Sequence, residues 1–239
     1  MPTYVITGAN RGLGLEFVAQ LSQEASNKII VASRSPSPEK VKDLESLKSK
    51  NKNIYILECD TSSLKSIASF ASEVASLLGP QGKIDYLLNN AGINSVPDQR
   101  SLSLTSEGLQ EQITVNVLGP AKTVEALQAH LHEGSVVMNM TSGLGSLTYS
   151  KSKSANSATA YSISKASLNM LTVHQSIDLK HKGVIVICMD PGWVKTDMGG
   201  KGAVLEKEES IEGMLRCLSG LTIADSGKFF VYDGHEKAW

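Results

Sequence analysis

The sequence predicts an α/β fold, a single doubly wound domain with a parallel seven-stranded sheet flanked by helices. Three observations carry this reading. Seven short β-rich runs recur along the 239 residues, segments of helical period lie between them, and a glycine-rich turn follows the first run directly. Strands alternating with helices require crossover βαβ units, and such units build parallel sheets.

The first run, Thr3–Thr7, passes into Thr7-Gly8-Ala9-Asn10-Arg11-Gly12-Leu13-Gly14, and a helical segment over Leu15–Leu21 follows. Lys28–Ala32 is the second run. After it, Ser35-Pro36-Ser37-Pro38 suits a first helical turn, where the fixed φ of proline fits, and Val41, Leu44 and Leu47 repeat at helical steps. Asn53–Leu57 is the third run. Asp60-Thr61-Ser62-Ser63 then offers an N-cap to a helix whose apolar stripe is Leu64, Ile67, Phe70, Val74, Leu77 and Leu78, and Gly79-Pro80 ends it. Ile84–Leu88, Ser135–Met140, Val184–Met189 and Lys228–Val231 complete the strands, with a long helix predicted over Ala158–His181. Most runs are near-continuous in apolar character, as strands covered on both faces are. Ser150–Ser157 is serine-rich and polar, a surface loop too short to separate domains, so one domain is expected over residues 1–239.

Composition narrows the class. The chain is 41% hydrophobic and 20% charged, with 20 glycines and 7 prolines, which argues against disorder and low-complexity sequence. Lys plus Arg number 23 and Asp plus Glu 24, a formal net charge of −1, so no long-range field favours nucleic acid or anionic lipid. The longest apolar run, Val184–Met189, is far short of the roughly 20 residues a membrane span needs. No basic region, long apolar segment or cleavage site precedes the first strand, so no signal peptide is expected. Cys59, Cys188 and Cys217 are scattered and odd in number; reduced thiols and a cytoplasmic location are the expectation.

A strand, a glycine-rich turn and a helix start together form an anion site. Glycine allows the backbone to approach a pyrophosphate, and free N–H groups at the helix start point at it. The spacing is Gly-x-x-x-Gly-x-Gly, and further segments accompany it in order. Asp60 follows the third strand, Asn89-Asn90-Ala91-Gly92 the fourth, and Asn116 lies in a helix. Ser142 follows the fifth strand, with Tyr161-x-x-x-Lys165 beyond it, and Pro191-Gly192-Trp193-Val194-Lys195-Thr196 follows the sixth. This ordered set, covering nearly the whole chain, resembles the short-chain dehydrogenases/reductases, whose fold is of Rossmann type. Thr141-Ser142-Gly143-Leu144-Gly145-Ser146, the run from Pro191 to Gly200, Asp233-Gly234 and Trp239 resemble the sniffer and C-factor branch of carbonyl reductases. Asp190 departs from that branch, where histidine is expected before Pro191, and the span from Ser142 to Tyr161 is unusually rich in serine.

The resemblance implies roles at matching positions. Gly8, Asn10, Arg11, Gly12, Leu13 and Gly14 would hold the dinucleotide phosphates. Asp60 and Thr61 would lie at adenine, although Asp60 also suits a helix cap. Asn90, Ala91 and Gly92 would lie against a ribose, and Pro191, Val194 and Thr196 at the nicotinamide carboxamide. Ser142 would hold the substrate oxygen and Tyr161 would be the acid/base. Lys165 would lower the tyrosine pKa and bind the nicotinamide ribose, and Asn116 would anchor a water relay behind it. Without the family, a Tyr-x-x-x-Lys pair is ordinary helix surface; four apart, the two side chains share one face. An adjacent ammonium favours phenolate, and a tyrosine so tuned can exchange a proton with a carbonyl oxygen.

The second strand bears on the cofactor. A carboxylate there accepts from the ribose 2′-hydroxyl of NAD and repels a 2′-phosphate. Ser33 holds that place, Arg34 follows it, and Arg11 precedes Gly12, so two guanidinium groups flank one phosphate position and NADP(H) is the expected cofactor. Solvated surface arginines are the plainer reading of the same pair.

Other candidates weigh less. His130 and His132, read on a helix, point to different faces, and no spacing resembles a metal site. Glu206-Lys207-Glu208-Glu209 is a solvated first helical turn beside a substrate-side loop around 190–207. Trp193, Leu144, Leu147, Val96 and Met198 are candidate pocket wall. The expected function is NADPH-dependent reduction of a neutral or aromatic aldehyde or ketone, with a small-molecule carbonyl or alcohol as partner. The alternative is an NADP(H)-binding signalling protein with little turnover. A homo-oligomer, dimer or tetramer, would be in keeping with the resemblance.

Overall fold

A computed structural model describes residues 1–34, 38–152 and 157–239. β1 (Thr3–Thr7) lies inside the sheet, parallel to β2 (Lys28–Ser33) on one side and β4 (Ile84–Asn89) on the other. β3 (Ile54–Glu58) pairs beyond β2, and β5 (Leu131–Met140), β6 (Ile185–Asp190) and β7 (Phe229–Val231) extend from β4. The order is β3-β2-β1-β4-β5-β6-β7, every pair parallel. The expected seven strands are all present. β5 begins at Leu131 rather than Ser135, because Leu131 pairs with Ile84 across a register shift that the polar residues between conceal.

Adjacent strand residues point to opposite faces, so one run serves two cores. Ile6, Ile29 and Val31 pack with Phe17 and Val18 of α1 (Gly12–Leu21), Val41 and Leu44 of α2 (Pro38–Lys50), and Ile211 and Met214 of α8 (Lys207–Ser219). Val5, Ile30 and Leu87 face the other way, onto Ile67, Phe70 and Val74 of α3 (Leu64–Leu78) and Val124 and Leu127 of α5 (Gly119–Leu127). That double cover explains the uninterrupted apolar runs.

Ser63 caps α3, accepting from the Ser66 N–H, and Gly79 ends it at φ +74°. Asp60 is not the cap: its carboxylate accepts from the backbone and hydroxyl of Ser62 instead. α4 (Ser106–Ile113) runs through a π-helical turn at Thr114–Leu118 into α5. Two expectations are corrected. Leu147–Ser152 forms α6, so Ser150–Ser152 are helical; residues 153–156 of the expected loop lie outside the described residues, as does Ser35-Pro36-Ser37. His132 is on β5 rather than a helix, and Asp85 stands 3.2 Å from its ring. The long helix, α7, covers Thr159–Asp178, and a 3₁₀ turn at Lys180–Lys182 follows it. Among the described residues, no helix is long and apolar enough to cross a membrane.

Candidate active site

The strand order reverses at β1, whose neighbours β2 and β4 send their crossovers to opposite faces. A crevice opens there beyond the carboxyl ends of the strands. The glycine turn forms its floor. Gly8 has φ +67°, and a Cβ on it would lie 2.8 Å from the Ala91 Cα; one on Gly14 would lie 2.2 Å from the Gly8 carbonyl oxygen. Only glycine allows this closeness. The Asn90 amide donates to the Thr7 and Gly8 carbonyls at 2.9 and 3.0 Å, so β4 braces the turn from beside it.

A cleft of about 570 Å³ runs from this turn to Tyr161. Gly8, Asn10, Arg11, Gly12, Leu13, Gly14, Arg34, Asp60, Thr61, Asn90, Ala91, Gly92, Tyr161, Lys165, Pro191 and Thr196 all line it. Ser33 and Val194 are buried and are not among the residues that line it; Val194 bridges to Leu205. Arg34 faces the cleft, but the Arg11 guanidinium meets the Asp197 carboxylate at 3.2 Å. The dinucleotide fits the residues present: the floor is bare backbone, a guanidinium stands at β2, and no carboxylate closes that strand.

At the inner end, Ser142 opens a 3₁₀ turn, Gly143–Gly145, and its hydroxyl accepts from the Leu144 N–H at 3.2 Å. α7 presses closely on this turn: a Cβ on Gly145 would lie 2.8 Å from the Lys165 carbonyl carbon. Thr141 and Asn169 tie the two elements together by a 2.6 Å hydrogen bond, and the Asn169 amide donates to the Gly145 carbonyl. Ser142 hydrogen-bonds the Tyr161 hydroxyl, a contact that favours phenolate. Burial acts the other way and is larger, with the Asp190 carboxylate adding to it, so the Tyr161 hydroxyl is held above its ordinary range. Burial pushes the Lys165 ammonium down to about 7; its Nζ donates to the Met140 carbonyl at 2.7 Å and stands 5.5 Å from the centre of the Tyr161 ring. In this structure burial therefore outweighs the expected help from Lys165.

Asn116 is fully buried in the π turn. Its oxygen accepts from the Ile93 N–H, and its amide donates to the Ile93 carbonyl and the Ser164 hydroxyl, each at 2.9 Å. A Cβ on Gly92 would lie 3.2 Å from the Asn116 oxygen and 3.4 Å from the Lys165 Nζ, so both groups border that glycine. π-turns of this kind recur at functional sites.

Sequence reasoning missed several cleft residues: Cys59, Ile93, Glu107, Gln110, Glu111, Thr114 and Asp197. Glu107, Gln110 and Glu111 come from α4, whose docking beside the cleft no motif signals, whereas Cys59, Ile93 and Asp197 directly flank motif residues. Of the candidate wall residues, Met198 lines the cleft. Trp193 is largely exposed, its indole N–H donating to the Gly199 carbonyl at 2.8 Å. Leu144, Leu147 and Val96 are not among the cleft residues. The departure at Asp190 is a structured feature: its carboxylate pairs with Lys237 at 3.1 Å and accepts from the Gly192 N–H at 3.1 Å. No group of three or more His, Cys, Asp or Glu able to hold a metal occurs among the described residues.

Fold and site define an oxidoreductase of the dinucleotide-binding α/β class. The chain belongs to the short-chain dehydrogenase family, which residues 2–204 match. It is 36% identical over 173 residues to the C-signal of Myxococcus xanthus, covering 72% of this chain and 99% of that protein. The structure is similar to that of the NADPH-bound carbonyl reductase from chicken fatty liver, with a TM-score of 0.93, 32% identity, and 100% and 99% of the two chains covered. The Drosophila melanogaster carbonyl reductase Sniffer gives a TM-score of 0.91 at 30% identity, with 100% of both chains covered.

Proposed function

We propose that this chain reduces a neutral or aromatic aldehyde or ketone with NADPH, Tyr161 serving as acid/base. One observation carries the reading: Tyr161 and Lys165 line one end of a cleft whose other end is a glycine cradle with Arg34 beside it, and Ser142, behind the lining residue Thr141, interacts with Tyr161. A bound nicotinamide dinucleotide supplies the hydride. The chain's own part is positioning and proton transfer. Ser142 and Tyr161 offer two hydroxyls to one carbonyl oxygen, and Tyr161, held protonated by burial, gives up its proton as negative charge grows there. Lys165, with a pKa of about 7, can resupply that proton near neutral pH. Asn116 holds the Ile93 backbone beside Lys165, where the water relay is assigned.

The carbonyl reductase neighbours support this reading. A small-molecule carbonyl or alcohol partner, a cytoplasmic location and a single domain over 1–239 belong with it. The test is fluorescence titration with NADPH and NADH, followed by NADPH absorbance decay with aromatic carbonyls. Tight NADPH binding with turnover is expected, and equal affinity for the two cofactors would remove the NADP(H) assignment. The similarity to a protein named C-signal favours one other reading, a cofactor-binding signalling protein. Tight NADPH binding without turnover on any carbonyl would select it.

A further inference from the structure

Behind the Ser142 turn lies an ion pair that the reaction as described does not use. Asp190 ends β6, and Lys237 comes from the final residues, which lie along β7: the Lys237 N–H donates to the Phe229 carbonyl at 2.7 Å. The two side chains meet at 3.1 Å and are 9% and 19% exposed, respectively. A Cβ on Gly143 would lie 2.8 Å from the Asp190 Oδ2 and 3.2 Å from the Lys237 Nζ, so the pair sits directly against the turn that presents Ser142. The other Asp190 oxygen accepts from the Gly192 N–H, and the Lys237 ammonium lies 4.5 Å from the centre of the Tyr149 ring.

We propose that Asp190 and Lys237 are a positioning pair for the reaction: Asp190 braces the Ser142–Gly143 and Pro191–Gly192 turns, and Lys237 offsets part of its charge so that negative charge can grow on the oxygen held by Ser142 and Tyr161. The inference rests on the acid/base reading of Tyr161. An uncompensated carboxylate packed against the Ser142–Gly143 turn, whose charge is felt at Tyr161, opposes a developing oxyanion there, and the low-dielectric surroundings strengthen that opposition. Removing one partner of a buried pair leaves the other as a bare charge. The groups facing Tyr161 are Lys165 on its own helix, Asp190 on β6, and Ser142 on the turn. Cys188 on β6 feels the charges of both Asp190 and Lys165, and burial holds its thiol up, so it stays neutral and adds no charge of its own there.

The test is steady-state kinetics against pH for Lys237→Met, Lys237→Arg, Asp190→Asn and the Asp190→Asn/Lys237→Met double variant, with Tyr161→Phe alongside and thermal melts to verify folding. Lys237→Met is expected to lower kcat about tenfold and to move its alkaline limb upward, because the bare carboxylate holds the tyrosine proton more firmly, with NADPH affinity within about twofold. Lys237→Arg should restore most of the rate. The double variant should be faster than Lys237→Met, since the unpaired charge is gone. If Lys237→Met does not fold, Asp190→Asn carries the test alone, with its alkaline limb moved downward. A Lys237→Met profile identical to that of the parent chain, a double variant no faster than Lys237→Met, or an unmoved Asp190→Asn limb would overturn the proposal. A Tyr161→Phe variant that keeps the rate removes the acid/base reading and the proposal with it. Loss in Tyr161→Phe with none in Lys237→Met removes the proposal alone.

Discussion

Arg11 and Asp197, 186 residues apart in sequence, join at 3.2 Å across the cleft. One stands at the start of α1 and the other on the loop after β6, and both are exposed, at 60% and 87%. An exposed pair contributes little to stability. It does engage a guanidinium assigned to a phosphate. Asp197→Asn should therefore leave the thermal midpoint unchanged and tighten NADPH binding about two- to threefold at low salt, an effect that fades as salt screens the charges. Fluorescence titration at two ionic strengths checks this.

Arg34 faces the cleft at the end of β2, where no carboxylate stands. Arg34→Ala should weaken NADPH binding about tenfold or more and leave NADH binding nearly unchanged, because a charge-assisted hydrogen bond to the 2′-phosphate is lost. Paired titrations of the two cofactors measure it.

Tyr161→Phe removes one hydroxyl from a site whose fold rests on other contacts. Turnover should fall by about 10²–10⁴-fold, with NADPH affinity retained. Single-turnover absorbance decay separates the two.

The Lys165 pKa of about 7 sets a pH dependence of stability in the cofactor-free protein. Between about pH 7 and the ordinary lysine value of 10.5, the unfolded chain carries a proton that the folded chain has released. Unfolding free energy therefore rises with pH across that window. Lys165→Met should flatten that rise, as read from urea midpoints at several pH values.

Gly145→Ala places a methyl 2.8 Å from the Lys165 carbonyl carbon, backbone that cannot swing aside. A loss of about 1–3 kcal/mol is expected, with a fall in kcat as the Ser142 turn shifts. Gly134→Ala is the control: φ is +85° but nothing lies within 4 Å of the new Cβ, so it should cost about 1–2 kcal/mol without touching kcat. Denaturant midpoints and kcat together distinguish the two.

Much of this was legible in the sequence. Strands buried on both faces are plain apolar runs, and Gly8, Gly12, Gly14, Asn90, Tyr161 and Lys165 stand in ordered motifs that the fold gathers at one cleft. The rest depends on contacts distant in the chain. α6 is serine-rich, and its first turn is held by Thr148 donating to the Trp239 carbonyl at 2.7 Å, which no local pattern reveals. The π turn around Asn116 leaves no trace in a 3.6-residue period. Asp190 registered only as a departure until Lys237, 47 residues on, came to rest against it.

The position of β1 also sets an order in time. Its outer neighbour follows soon, since Val5 pairs with Ile30, but its inner neighbour is Leu87 on β4. A chain leaving the ribosome must keep one edge of its first strand waiting while β2 and β3 are made. Closing so long a loop is entropically slow, and the unpaired edge is an aggregation hazard meanwhile. The cleft comes into existence only when that edge is closed, so competence to bind a dinucleotide reports completion of the sheet's centre during folding.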